Sequence, residues 1–260
     1  MPTWHPGQYL RFGDERTRPC RDLAARIDVA PVRKIIDLGC GPGNSTAILA
    51  GLWPDAEISG LDNSPEMIQA ARSAMPSFHW RVGDIAEWSA GGDGQFDIVF
   101  SNAALQWVDD HAKVYPRLLN KVAAGGALAV QVPGNHDGPA HRLMRQIAGS
   151  PEWRDSFRPG AVREWYVHDL EFYYDVLAGR ACRLDLWETI YMHVMADPEA
   201  IVEWYKGTGL RPFLEALDGD EARNRFCAEY LEGLRTLYPV RPDGRVLFPF
   251  HRLFLVAYRG

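Results

Sequence analysis

Lys34-Ile35-Ile36-Asp37-Leu38-Gly39-Cys40-Gly41-Pro42-Gly43-Asn44-Ser45-Thr46 joins a short apolar run to three alternating glycines and then to a segment with helical spacing. The apolar run fits a strand buried on both faces, and residues 44–53 continue as a helix through Thr46, Leu49, Ala50 and Trp53. A strand that delivers its last carboxylate, Asp37, beside Gly-x-Gly-x-Gly lets backbone approach a ligand more closely than any side-chain-bearing residue would allow. Position 44 is Asn, so the last glycine of the dinucleotide fingerprint is missing, and no Lys-Ser/Thr pair completes a phosphate loop. The spacing suits a ligand without a pyrophosphate.

Working outward, residues 57–61, 78–82, 96–101 and 127–132 read as further strands, with helices starting at Ser64-Pro65 and over 112–121. Ser64 is placed to cap a helix whose first position is Pro65. Such alternation predicts an α/β fold: a doubly wound, Rossmann-like, seven-stranded and mostly parallel sheet, with its ligand site at the carboxyl ends of the strands. Beyond Pro133 the spacing predicts helices over 140–148, 168–178, 198–206 and 220–238. The runs 182–195 and 245–258 read as the sheet's last pair, antiparallel to each other. The expected organisation is one domain over 1–260, with a ligand-binding core at 30–135, an N-terminal lid at 1–29 and a helical cap at 194–243.

The chain has 260 residues and a formal net charge of −6 without any Lys/Arg run, which argues against nucleic acid or an anionic membrane surface as a partner. It shows neither the basic start and apolar stretch of a signal peptide nor a run of membrane-spanning length, so a cytoplasmic monomer or homodimer is expected. Cys20, Cys40, Cys182 and Cys227 are widely spaced and form no metal-ligand pattern. They read as buried free thiols, with no metal.

Two more acids fall at predicted strand ends. Asp62 follows the second strand, where this fold places a carboxylate for ribose hydroxyls, and Gly83-Asp84-Ile85 ends the third, offering an acceptor for an exocyclic amine and an apolar face. Together with Asp37-Leu38-Gly39-Cys40-Gly41-Pro42-Gly43 and Phe96-Asp97-Ile98-Val99, these residues resemble the class I S-adenosyl-L-methionine (SAM)-dependent methyltransferases over about the first 135 residues. The resemblance implies that Gly39, Gly41 and Gly43 line the methionine part of SAM, that Asp62 and Asp84 hold ribose and adenine, and that Ser101-Asn102-Ala103 approaches the methionyl moiety. It extends the cofactor set to Arg16, Asn63, Met67, Ile85 and Trp107, with S-adenosyl-L-homocysteine as product.

The remainder resembles the trans-aconitate methyltransferases, through Tyr9-Leu10-Arg11-Phe12, Glu15-Arg16-Thr17-Arg18-Pro19, Asn44-Ser45-Thr46, Ser101 to Trp107, Val130-Gln131-Val132-Pro133, Thr208-Gly209-Leu210-Arg211-Pro212 and Phe250-His251-Arg252-Leu253-Phe254. That family implies a small anionic tricarboxylate acceptor and a carboxyl methyl ester product. Asn-Ala-Ala-Leu-Gln-Trp is also similar to a run in malonyl-carrier-protein methyltransferases, which leaves another small acceptor, or a non-catalytic SAM-binding module, as alternatives. Substrate candidates are Tyr9, Arg16, Gln131, Tyr173, Tyr174, Arg211 and Arg252, with Arg11 and Arg18 as further cations; Arg suits a carboxylate because its planar fork donates two parallel hydrogen bonds. Gly209 and Pro212 are expected to fix a loop around Arg211, and Trp107 and Arg211 are expected to position the reactants. A carboxylate acceptor is already ionised at neutral pH, so no general base is assigned.

Overall fold

Ile35, Ile36 and Leu38 are buried, at 5% exposure or less, and their burial stabilises the sheet by ~1.5–3 kcal/mol each. The computed structural model describes residues 13–92, 94–157, 160, 162 and 165–260, with residues 13–16 described by backbone alone. In chain order the elements are α1 (Gly13–Ala24), β1 (Lys34–Leu38), α2 (Asn44–Leu52), β2 (Glu57–Asp62), α3 (Pro65–Ala74), β3 (His79–Val82), α4 (Ile85–Ala90), β4 (Phe96–Asn102), α5 (His111–Asn120) and β5 (Val122–Pro133). There follow α6 (Pro139–Ala148), α7 (Leu170–Leu177), β6 (Arg183–Met195), α8 (Pro198–Lys206), α9 (Arg211–Ala216), α10 (Gly219–Leu237) and β7 (Val246–Tyr258).

The seven strands run in the order β3-β2-β1-β4-β5-β7-β6. Strands β1 to β5 pair in parallel, and β7 pairs antiparallel with β5. The order reverses between β1 and β4, which creates the crevice where doubly wound folds hold ligands. One sheet face packs Ile36, Leu38, Val99 and Val130 against helices that include α5 and α7. Asp37, Phe100, Asn102, Gln131 and Arg252 belong to the other face by register.

The chain divides into two compact units. One holds the described residues through Pro133 together with Tyr166–Thr189 and Arg252–Gly260; the other holds the described residues of Gly134–Trp165 together with Ile190–His251. In the second, the helices expected over 140–148, 198–206 and 220–238 are present as α6, α8 and α10. Trp153 donates its indole N–H to Glu229 Oε2 on α10 at 2.7 Å, and α10 buries Phe226, Tyr230 and Leu234 at helical spacing.

Three local readings change. Ile85 starts a helix instead of closing the third strand, because Asp84 accepts from the N–H groups of Ala86 and Glu87 and so caps α4. Arg211 opens α9 instead of lying in a loop, with Pro212 at the start of the helix where its missing N–H costs nothing. Of the four cysteines expected to be buried, Cys20 and Cys40 are, whereas Cys182, just before β6, is exposed and Cys227 on α10 is partly exposed. Among the described residues, no helix is long and apolar enough to cross a membrane, and no group of three or more His, Cys, Asp or Glu side chains is placed to hold a metal ion.

Candidate active site

The glycine loop is pinned at both ends. Gly39 and Cys40 donate their N–H groups to the Leu61 carbonyl at 2.7 and 3.1 Å, and Gly43 donates to Cys40 O at 3.0 Å. All three glycines have positive φ, at 71°, 54° and 99°. Gly39 and Gly41 need their missing side chains for different reasons. A Cβ on Gly39 would lie 2.1 Å from the Ala104 Cβ, whereas one on Gly41 would meet nothing within 4 Å. Gly39 thus lets two strand tips close on each other, and Gly41 leaves open space. A cleft open to solvent is lined by Thr17, Cys20, Gly39, Cys40, Pro42, Asn44, Ser45, Ile48 and Asn102.

Behind this loop stands Asp37, which has no exposure to solvent. Its Oδ2 accepts from Ser45 Oγ at 2.6 Å and Thr46 Oγ1 at 2.7 Å, while Oδ1 has no partner. Burial pushes its carboxyl up to about 6, the two hydroxyls oppose that, and the Asp62 charge adds to it. Asp62 ends β2 and accepts from Gly41 N and Ser64 N at 2.9 Å each; burial also raises its carboxyl, against those two bonds. Two partly compensated acids at adjoining strand ends make a site that a cation would relieve.

The rim of β4, β5 and β7 adds a second polar group. Asn102 is the register partner of Gln131, so their side chains leave the same sheet face, and Arg252 joins them from β7. Gln131 is fully buried, and its Oε1 accepts from Arg252 Nη1 at 3.4 Å. Asn102 Oδ1 and Gln131 Nε2 are buried with no partner. Such groups are costly to leave unmade, so their persistence marks a place where a ligand can complete them.

The other sequence candidates are placed as follows. Ser101 is buried and donates to Leu38 O at 2.9 Å; Ala103 takes φ 56° and donates to Gln131 O at 2.9 Å. Met67 is buried on α3, where its N–H meets the Ser64 cap at 3.2 Å, and Asn63 is exposed in the turn before it. Asp84 is exposed and engaged in capping, and Ile85 is buried, 3.8 Å from where a Gly39 Cβ would stand. Trp107 closes the 3-10 turn Leu105–Trp107 and is partly exposed. Tyr173 is buried with its hydroxyl on His111, and Tyr174 is exposed on α7. Arg211 belongs to the second unit and pairs with Glu215 at 2.7 Å. Tyr9 and Arg11 lie outside the described residues, as does the Arg16 side chain. The sequence reading did not single out Thr17, Cys20 or Ile48 as lining residues, which their positions on α1 and α2 reveal, nor Pro42, which lines the cleft from the glycine loop itself.

A methyltransferase domain family matches residues 35–126, the span from β1 into β5 that carries this loop. The chain superposes on the YcgJ protein of Bacillus subtilis with a TM-score of 0.57 at 16% identity, covering 93% of this chain and 99% of that one. It superposes on a putative sarcosine dimethylglycine methyltransferase of Galdieria sulphuraria with a TM-score of 0.53 at 15% identity, over 99% and 92% of the two chains. At that identity the likeness is one of fold. Trans-aconitate 2-methyltransferases of Azoarcus sp. (strain BH72) and Methylobacterium nodulans are 48% and 46% identical over 259 residues, covering 100% of this chain and 100% and 99% of theirs. Since the match runs through the sheet, the glycine loop and the second unit alike, the chain belongs to the trans-aconitate 2-methyltransferase family of class I methyltransferases.

Proposed function

We propose that the chain binds SAM at the glycine loop and forms a monomethyl ester on a carboxylate of trans-aconitate or a close tricarboxylate. One observation carries the reading: opposite polarities meet along one sheet rim, with the partly compensated acids Asp37 and Asp62 at β1 and β2 and the buried Arg252-Gln131 pair at β7 and β5. The acids suit a donor that carries ammonium and sulfonium charge; the Arg-Gln pair suits an anionic acceptor.

The residues fit that donor. Gly41 leaves room for close approach, Asp62 keeps lone pairs for ribose hydroxyls, and Asp37 Oδ1 and Asn102 Oδ1 are unused acceptors for an ammonium group. When bound, SAM supplies a methyl group on positively charged sulfur. The acceptor is ionised at neutral pH, so no side chain need remove a proton; an O–CH3 bond forms as the S–CH3 bond breaks. The protein's work is then placement: Arg252 and Gln131 hold a carboxylate by charge-assisted bonds, and the burial around them keeps water away.

Purified protein incubated with methyl-labelled SAM and a panel of small acids should give a base-labile methyl ester on trans-aconitate. Absence of label in ester form on every acid would reject the reading. The glycines should also separate. Gly39→Ala combines a left-handed backbone with a steric clash and should cost on the order of 2–5 kcal/mol of stability. Gly41→Ala should cost only about 1–2 kcal/mol, yet weaken SAM binding at least roughly ten-fold, because its methyl enters the ligand's space. Thermal melts and calorimetry on the two variants decide this; equal melting losses would count against the division.

A further inference from the structure

The loop that follows β4 holds two non-glycine residues in the left-handed region, Ala103 at φ 56° and Asp110 at φ 54°. Such backbone is disfavoured for a residue that carries a side chain, so the loop persists only where its surroundings over-determine it. Several bonds do so. Gln106 Nε2 donates to Ala103 O at 2.8 Å, Tyr166 N–H donates to Gln106 O at 2.9 Å, and His111 Nε2 lies 2.9 Å from Leu105 O. A carbonyl can only accept, so Nε2 carries the proton of the His111 ring, and Nδ1 accepts from the Tyr173 hydroxyl at 2.9 Å. That hydroxyl in turn accepts from His168 N–H at 3.3 Å.

The ring is only 1% exposed and is packed against Tyr115 and Tyr173, with centroids 4.9 and 5.7 Å away. Burial pushes its imidazolium pKa down, in keeping with a neutral ring of fixed tautomer. Its one donor bond is therefore directed at the turn Leu105–Trp107. That turn follows directly on Ala104, which packs on Gly39, and begins three residues after Asn102, which lines the cleft.

We infer that His111 is a positioning residue for methyl transfer: its Nε2–H bond to Leu105 O, oriented by Tyr173, fixes the turn that sets Asn102, Ala103 and Trp107 at the reacting end of the site. This rests on the function proposed above. A misplacement of about 1 Å at such a centre costs on the order of a hundred-fold in rate.

Two substitutions separate the ring nitrogens. His111→Gln can keep a donor at the Nε2 position, whereas His111→Asn reaches only as far as Nδ1. His111→Asn should lower kcat roughly 30- to 100-fold with SAM affinity within about three-fold, and His111→Gln should recover to within about five-fold of the parent. Tyr173→Phe, which leaves the ring free to change tautomer, should lower kcat roughly ten-fold. Amide hydrogen exchange over 102–110 should be faster in the Asn variant and close to parental in the Gln variant. The inference is overturned if folded His111→Asn keeps kcat within about two-fold, or if folded His111→Gln is as slow as His111→Asn. Should His111→Asn not fold, unchanged kcat in Tyr173→Phe overturns it. Parent protein that methylates no acid would instead sink the functional reading, and hydrogen exchange then decides alone: equal rates in the Gln and Asn variants overturn the role of the Leu105 bond.

Discussion

Arg252→Met is expected to raise the KM for trans-aconitate roughly 10- to 150-fold while leaving SAM affinity within about three-fold, as a charge-assisted contact of about 1.5–3 kcal/mol requires. The side chain is 6% exposed and reaches Gln131 Oε1 at 3.4 Å, so its charge is held in a desolvated rim and not spent on solvent. Methionine has similar length and no charge; because it leaves the buried Gln131 Oε1 without its donor, a loss of about 1–3 kcal/mol of stability accompanies it, and the kinetics are read on folded variant. Arg252→Lys keeps the charge but loses the planar fork, and its KM should fall between the two. Steady-state kinetics with each substrate varied in turn, alongside calorimetric titration of SAM, would measure the effect. An unchanged KM for the acid, or parallel losses for both substrates, would remove Arg252 from the acceptor site.

Asp37→Asn should separate stability from binding. The carboxyl has an ordinary value of 3.8 and is pushed up to about 6 in the fold, so the folded chain keeps its proton over a range where the unfolded chain has lost it. This group's contribution to stability is complete below about pH 4 and declines as pH rises through 6. The difference corresponds to about 3 kcal/mol at neutral pH as an upper value. The Asn variant, still accepting from Ser45 and Thr46 through its amide oxygen, lacks that decline. Its melting temperature should match the parent near pH 4 and exceed it at pH 7.5. SAM affinity should fall roughly 10- to 100-fold at pH 7.5, since the donor's positive charge loses its buried counter-charge. Parent protein should release protons on binding SAM near pH 6, read as a buffer-dependent heat, and the variant should not. Unchanged affinity would show that Asp37 serves the loop alone.

Much of this was legible in the residues themselves. The apolar run before Gly39, the Ser64-Pro65 helix start and the spacing of Leu49 and Trp53 are local signals, and they gave the strand-helix alternation through the first half and the position of the loop. The short helices α4 and α9 escaped because six residues carry too little periodicity to stand out, and a capping Asp84 reads just as well as a turn. Residues lining the cleft from α1 and α2 escaped for another reason: a helix displays its apolar spacing whether that face meets the core or a ligand.

The sequence by itself determined a doubly wound sheet with a glycine loop at its first strand tip, because backbone preference and hydrophobic period are properties of neighbouring residues. Only the tertiary structure decided what the loop is set against. Gln131 and Arg252 lie 121 positions apart, and it is the pairing of β5 with β7 that turns them to one face beside Asn102. Likewise Asp37 became an only partly compensated acid, and His111 a neutral ring with a single donor, through desolvation by residues that no local pattern names. Burial and strand register are sums over the whole fold, and the chemistry of this site follows from them.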